Sequence, residues 1–260
     1  MLTTLVMAIE ANNCNAINHK KFDDDTNFNL FARMIQRPQA FIFDMNGTMI
    51  NDMEYHTKAW LRIFNEELGG NFTWDEVKGH MYGKNAEVLT RVFGPHKFTD
   101  AEKDALSLAK EKRYQQEYLP QLALLPGLGE FLEQAHQQQI PMSIASAAIM
   151  FNIDFVLDNL NIRHYFKAIV SADDVLLSKP HPETFLKAAQ LMNIDPVNCL
   201  VFEDVPKGAE AALNAGMLAV ILTTTHQPEE FDHLNNVLHF SNDFTGPYFT
   251  ELLKPVTAQQ

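Results

Sequence analysis

Four sets of polar side chains stand at or near the ends of apolar runs in this sequence. Asp44 follows Ala40-Phe41-Ile42-Phe43 and enters a turn built on Asn46, Gly47 and Thr48. Ser146 closes PMSIAS, Glu203 and Asp204 close NCLVFED, and Lys179 lies in SKPHPETF. Taken singly, an Asp after a strand is a turn former or a helix cap, a Ser caps a helix, and a Lys is a solvated charge. Together, a carboxylate, a hydroxyl, an ammonium and a carboxylate pair are the constituents of an active site, provided that the fold brings them to one place.

The elements that would do so can be read from apolar periodicity. Short apolar runs at 40–43, 141–146, 166–171, 198–204 and 217–222 read as strands. Between them lie helical patterns near 127–139, 149–160, 182–192 and 206–215. Strands alternating with helices predict an α/β fold: a doubly wound, Rossmann-like parallel sheet with helices on both faces. In such sheets ligands bind beyond the carboxyl ends of the strands, which gathers the polar groups on one rim. The stretch from 52 to 124 contains no strand signal. Its helical patterns at 53–69, with His56, Trp60 and Phe64 at four-residue spacing, and at 99–117 predict an all-helical inserted domain. The expected organisation is therefore a core of 37–51 and 125–250 interrupted by a helical domain of 52–124.

Residues 1–36 read as a poorly packed extension, rich in Asn and Asp, with an acidic triplet at 23–25 and no sustained apolar period. No basic segment precedes the first apolar run and Glu10 interrupts it, which argues against a secretory leader. Met34 is an alternative start. The chain has 260 residues and carries 20 Lys and Arg against 33 Asp and Glu. With no basic, aromatic-interleaved block, it is not expected to bind nucleic acid. No apolar stretch of about 20 residues is present to span a membrane. Two cysteines, Cys14 and Cys199, give neither a disulfide framework nor a metal-ligand spacing, and a reducing cytoplasm fits. A monomer is expected.

From about 40 to 225 the chain resembles the haloacid dehalogenase superfamily. The family's D-x-D-G-T motif appears as Asp44-Met45-Asn46-Gly47-Thr48, its second motif as Ser146, its third as Lys179 before Pro180, and its fourth as Glu203-Asp204. The helical insertion is similar to the family's cap domain. Within the superfamily, EYHTKAW (54–60) and VFEDVPKGAEAALNAGM (201–217) resemble segments of the β-phosphoglucomutase group.

The resemblance implies a chemistry. Asp44 would attack phosphorus and carry an aspartyl-phosphate, splitting one displacement into two. Mg²⁺ would be held by Asp44 and Asp204, with Glu203 and the backbone carbonyl of Asn46. Lys179 would neutralise charge, and Ser146 with backbone N–H groups near Gly47, Thr48 and Ala147 would hold the phosphoryl oxygens. His56, Trp60 and Lys84 match cap or hinge positions of the mutase group and are candidate substrate contacts. The implied partner is a small phosphorylated metabolite.

The sequence departs from the pattern in two places. Asn46 stands where phosphate-ester-cleaving members carry the Asp that protonates the leaving oxygen, a contribution of about 10²–10⁴-fold. The polar residues that follow Ser146 in the mutase group are replaced by Ala147-Ala148-Ile149-Met150, which favours hydrolysis over a bisphosphate intermediate; Asn152 is a candidate to compensate. Three functions are compatible with these residues: a Mg²⁺-dependent phosphohydrolase or phosphotransferase, a phosphonate C–P hydrolase using Lys84 as a Schiff base, or a phosphate-binding module with weakened turnover.

Overall fold

The structure, a computed structural model, describes residues 37–254; the expectations for residues 1–36, including Cys14 and Met34, lie outside the described residues. Six strands form one parallel sheet in the order β3-β2-β1-β4-β5-β6: β1 (Ala40–Phe43), β2 (Met142–Ala145), β3 (Ala168–Val170), β4 (Cys199–Glu203), β5 (Leu218–Leu222) and β6 (Val237–Ser241). The first five coincide with the apolar runs. The sixth, VLHFS, goes beyond the sequence reading. It is an edge strand, half-buried along its whole length and shifted in register beside Ala219, so it lacks the continuous apolar signal of the central strands.

Nine helices accompany the sheet among the described residues: α1 (Met53–Arg62), α2 (Trp74–Gly79), α3 (Asn85–Phe93), α4 (Asp100–Tyr118), α5 (Leu128–Gln137), α6 (Met150–Asn159), α7 (Glu183–Met192), α8 (Pro206–Asn214) and α9 (Pro247–Leu252). The pattern predicted over 53–69 is α1 followed by a π-helical turn, Ile63–Glu67, in which Leu68 N–H reaches back to Ile63 O. No described helix is long and apolar enough to cross a membrane.

The alternation of side chains along β1 explains how the sheet is covered twice. Ala40 and Ile42 join the cluster containing Phe185, Ala188 and Ala189 of α7 and Ala209 and Ala212 of α8. Phe41 and Phe43 turn the other way, against Phe131 of α5 and Phe202, whose ring stacks on Phe43 at 4.7 Å. β1 is fully buried and paired on both edges, a central strand of the sheet. It delivers Asp44 at its carboxyl end.

Helices α1–α4 form the cap, inserted between β1 and β2. Trp60, Ile63, Phe64, Val77, Val88 and Leu89 make its core. Its two connections to the sheet run side by side: Ile50 bridges Leu124 in antiparallel sense, and Leu125 N–H bonds Met49 O at 2.8 Å. Helix α4 starts on a capping box, Thr99 with Glu102. It buries Lys110, Glu111, Tyr114 and Tyr118, a stripe at helical spacing composed largely of polar residues.

Candidate active site

Strand ends and the turns after them bring Asp44, Ser146, Lys179, Glu203 and Asp204 to one buried rim. Lys179 Nζ lies 2.7 Å from Asp44 Oδ1 and 2.7 Å from Glu203 Oε1. Burial opposes the Lys179 charge, but the two carboxylates outweigh it and hold the ammonium above its ordinary range. Burial also pushes Asp44 up to about 7; Lys179 opposes this, while Glu203 and Asp52 add to it. Asp204 is raised well above the usual carboxylate range by burial and by the charges of Glu203 and Asp44. Two buried carboxylates thus share one lysine, and the third, Asp204, is bonded by Thr48 and Thr225.

The loop after β1 is shaped around Asp204. Gly47 has φ +77°, and a Cβ there would stand 2.2 Å from Asp204 Oδ2, so only glycine permits the approach. Thr48 Oγ1 donates to Asp204 Oδ1 at 3.2 Å, and Thr225 Oγ1 donates to Oδ2. The Gly47 and Thr48 N–H groups are spent on the turn, bonding Ile50 O and Met45 O. These bonds build the loop and compete with the expected role of the two N–H groups in holding a phosphoryl group.

The expected Mg²⁺ can be tested against the donor set. Glu203 is committed elsewhere: Oε1 takes Lys179, while Oε2 accepts Asp204 N–H at 2.7 Å and Val205 N–H at 2.9 Å. Glu203 therefore orients Lys179, and the geometry does not favour it as a direct ligand. No group of three His, Cys, Asp or Glu side chains among the described residues closes on one point as a cage. Asp44, Asp204 and a backbone carbonyl at Asn46 leave the remaining positions to water. Hard oxygen donors, few carboxylates and excess negative charge are what Mg²⁺ takes, so the residues fit.

Ser146 is buried; its N–H bonds Val170 O, and its Oγ accepts Ala148 N–H at 3.1 Å, which leaves the hydroxyl proton available to the cleft. Ala147 is exposed beside it. The cleft between rim and cap has a volume of about 1270 Å³ and is bordered by Asp44, Asn46, Ser146 and Lys179 on one side and by His56, Trp60 and Lys84 on the other.

Asn46 belongs to a buried network that joins core to cap. Its Nδ2 donates to Asp52 Oδ2 at 2.5 Å and lies 3.1 Å from His56 Nε2. Tyr114 O–H donates to the same Asp52 oxygen at 2.6 Å, and Tyr114 stacks on the His56 ring. His56 Nδ1 meets Lys110 Nζ at 2.5 Å. Lys110 pairs with Glu111, which also accepts from Asn85 of the cap at 2.6 Å and from Asn152 of α6 at 2.7 Å. Burial lowers Lys110; for Glu111 burial acts upward, but Lys110, His56 and the two amides bring it down to about 2. Asn152 is thus a cap tie, which removes it as a replacement phosphate contact. Trp60 is fully buried in the cap core and offers only wall. Lys84 reaches the cleft but donates to Val175 O of the core at 2.6 Å.

Sequence reasoning missed Asp52, Lys110, Glu111 and Tyr114. Asp52 is the N-cap residue of α1, although its side chain makes no cap bond. The other three were masked by a Lys- and Glu-rich helix whose polar stripe, at 110, 111, 114 and 118, was the available signal.

Comparison with known proteins bears on the family of the chain. Residues 41–222 match the haloacid dehalogenase-like hydrolase family. The chain is 34% identical to the fructose-1-phosphate phosphatase of Escherichia coli, over 72% of this chain and 97% of the relative. It is also 34% identical to the β-phosphoglucomutase of Bacillus subtilis, over 70% and 82% of the two chains. Among solved structures, the β-phosphoglucomutase of Clostridium difficile superposes with a TM-score of 0.71 at 26% identity, covering 83% of this chain and 97% of that one.

Proposed function

The chain belongs to the haloacid dehalogenase-like hydrolase family, and from that premise we propose that it is a Mg²⁺-dependent phosphatase of phosphorylated sugars or similar small metabolites, working through Asp44. The observation that carries the reading is the Lys179 ammonium fixed 2.7 Å from Asp44 Oδ1, with Asp204 and the Ser146 hydroxyl on the same buried rim. Relatives named for hydrolysing fructose 1-phosphate and validoxylamine A 7'-phosphate support a substrate of this class.

An Asp44 oxygen attacks phosphorus, a P–O bond forms, and the bond to the sugar oxygen breaks, the departing oxygen taking its proton from solvent. Water then attacks the phosphorus of the aspartyl-phosphate and returns Asp44 with inorganic phosphate. Mg²⁺, when bound, supplies positive charge that offsets repulsion between carboxylate and phosphate. Lys179 opposes the upward push of burial on Asp44 and faces the transferring group; Ser146 donates to one of its oxygens. Asn46 cannot hand a proton to the leaving oxygen, so substrates with acidic leaving groups should turn over best. Hydrolysis is favoured over mutase chemistry because the wall after Ser146 is apolar, Ala147-Ala148-Ile149, and Asn152 is engaged by Glu111 and Gln115.

A panel of hexose phosphates, triose phosphates, acetyl phosphate and pyrophosphate, assayed for released phosphate with and without Mg²⁺, tests the proposal. Metal-dependent release that disappears in Asp44→Asn is expected. Equal release by Asp44→Asn would refute it.

A further inference from the structure

The segment from Val175 to Lys179 leads from β3 towards α7 and delivers the rim lysine. Its core side is fastened by Glu183, whose two oxygens accept Leu176 N–H and Leu177 N–H, each at 3.0 Å. Its other fastening comes from the cap. Ser178 Oγ donates to Glu87 Oε1 at 2.8 Å, and Val175 O accepts Lys84 Nζ at 2.6 Å.

Glu87 is itself held on both sides. Oε2 accepts the Lys84 N–H at 3.0 Å, in the first turn of α3. Gly83, at φ +77°, packs so closely that a Cβ there would stand 2.0 Å from the same oxygen. Arg91 Nη1 fixes the shape of the loop by donating to His80 O at 2.8 Å and Tyr82 O at 3.2 Å. A preformed cap loop thus presents one carboxylate to the residue adjacent to Lys179. A free rotamer would lose more entropy on making this contact than a carboxylate already fixed by its own helix.

We propose that Glu87 is a positioning residue for Lys179: by accepting the Ser178 hydroxyl it transmits closure of the cap to the loop that sets the ammonium against Asp44. The inference rests on the phosphatase reading, since it gives cap closure an effect on the reacting groups in addition to excluding water. It also assigns Lys84 to the closing contact, beside Glu87.

Ser178→Ala tests this most cleanly, because Glu87 then keeps its bond within α3 and the cap loop stays built. With the substrate that the wild-type enzyme turns over fastest, kcat is expected to fall about 5- to 10-fold, the worth of one hydrogen bond, while KM stays within about twofold. Hydrogen exchange of the peptide covering 175–181 should quicken. Glu87→Gln keeps an acceptor oxygen for the Lys84 N–H while its NH₂ can donate to Ser178 Oγ, so it should stay within about threefold of wild type, whereas Glu87→Ala should match or exceed the loss in Ser178→Ala. An unchanged kcat and unchanged exchange in Ser178→Ala, with wild type active, would overturn the positioning role and leave the phosphatase reading standing. A wild-type enzyme silent toward every phosphate ester would overturn both, and that result precedes any substitution.

Discussion

The core rim and the cap face of the cleft are both lined with buried ionisable groups, yet they solve opposite problems. At the rim, Asp44 and Glu203 share Lys179 while Asp204 has no cation beside it, and Asp44 and Asp204 are pushed upward in pKa. On the cap face, Lys110 and Glu111 answer each other, and Asn85 and Asn152 complete the coordination of Glu111, which is drawn down to about 2. The rim is left electrostatically incomplete, as a site for a cation and an anion should be; around Glu111 the donors match the carboxylate, as in a structural tie, although burial still lowers Lys110 and Asp52 Oδ1 has no partner. A cluster of charges therefore marks a reactive site when its groups perturb one another towards neutrality, and a scaffold when they satisfy one another.

The contrast predicts that charge removal has opposite consequences in the two regions. Asp44→Asn should abolish turnover by a factor on the order of 10⁴ or more while leaving the melting temperature equal or higher, because it removes a desolvated charge. Lys110→Met should do the reverse to stability. It strands the Glu111 carboxylate with amide donors alone, at a cost of about 3–5 kcal/mol measured by denaturant unfolding. Lys110→Met combined with Glu111→Gln should recover most of that loss. A stable Lys110→Met enzyme would erase the distinction between the regions.

Asn46 sharpens the comparison, since it sits where the two networks meet. Asn46→Asp should raise sugar-phosphate hydrolysis by up to about 10²–10⁴-fold, the value of a positioned acid, with a smaller gain on aryl phosphates. The new carboxylate would face Asp52 Oδ2 at the 2.5 Å now bridged by an amide hydrogen. Like charges so close hold one of the pair protonated, so the gain should be partial at pH 7 and larger with Asp52→Asn added. Equal gains on sugar and aryl phosphates would show that leaving-group protonation is not limiting.

The smallest expected effect is on stability against pH. Folding raises Asp44 from 3.8 to about 7, so between those values the folded chain binds a proton that the unfolded chain has released. Without divalent cation, stability should therefore fall as pH rises from about 4 to 7, with Asp204 acting in the same direction. Added Mg²⁺ should flatten this decline, and a thermal melt series with and without the metal measures it.

How much of this was legible depended on sequence distance. The strand ends at Phe43, Ala145 and Glu203 carry continuous apolar runs, so the parallel sheet and its convergent polar groups could be read directly. β6 could not, because a half-buried edge strand containing His239 has no such run. The rim side chains were found from their place after strands, but the commitment of Glu203 to Lys179 and of the Gly47 and Thr48 amides to the turn depends on geometry that spacing does not encode. The cap network was illegible for a related reason: Asp52 meets Tyr114 across 62 positions, and Glu111 meets Asn152 across 41. Pairings between helices carry no local signature.

The central claim is that the incomplete rim is completed by a phosphoryl group on Asp44. Rapid acid quench during turnover with Mg²⁺, followed by mass spectrometry of the peptide spanning 40–52, tests it most directly. With acetyl phosphate, whose leaving group needs no protonation, only activation of the hydrolytic water is missing, so a peptide heavier by one phosphoryl group at Asp44 should accumulate, diminish when excess substrate is exhausted, and be absent from Asp44→Asn. Steady phosphate release with Asp44 unmodified throughout, or with the phosphoryl group on another residue, would contradict the account.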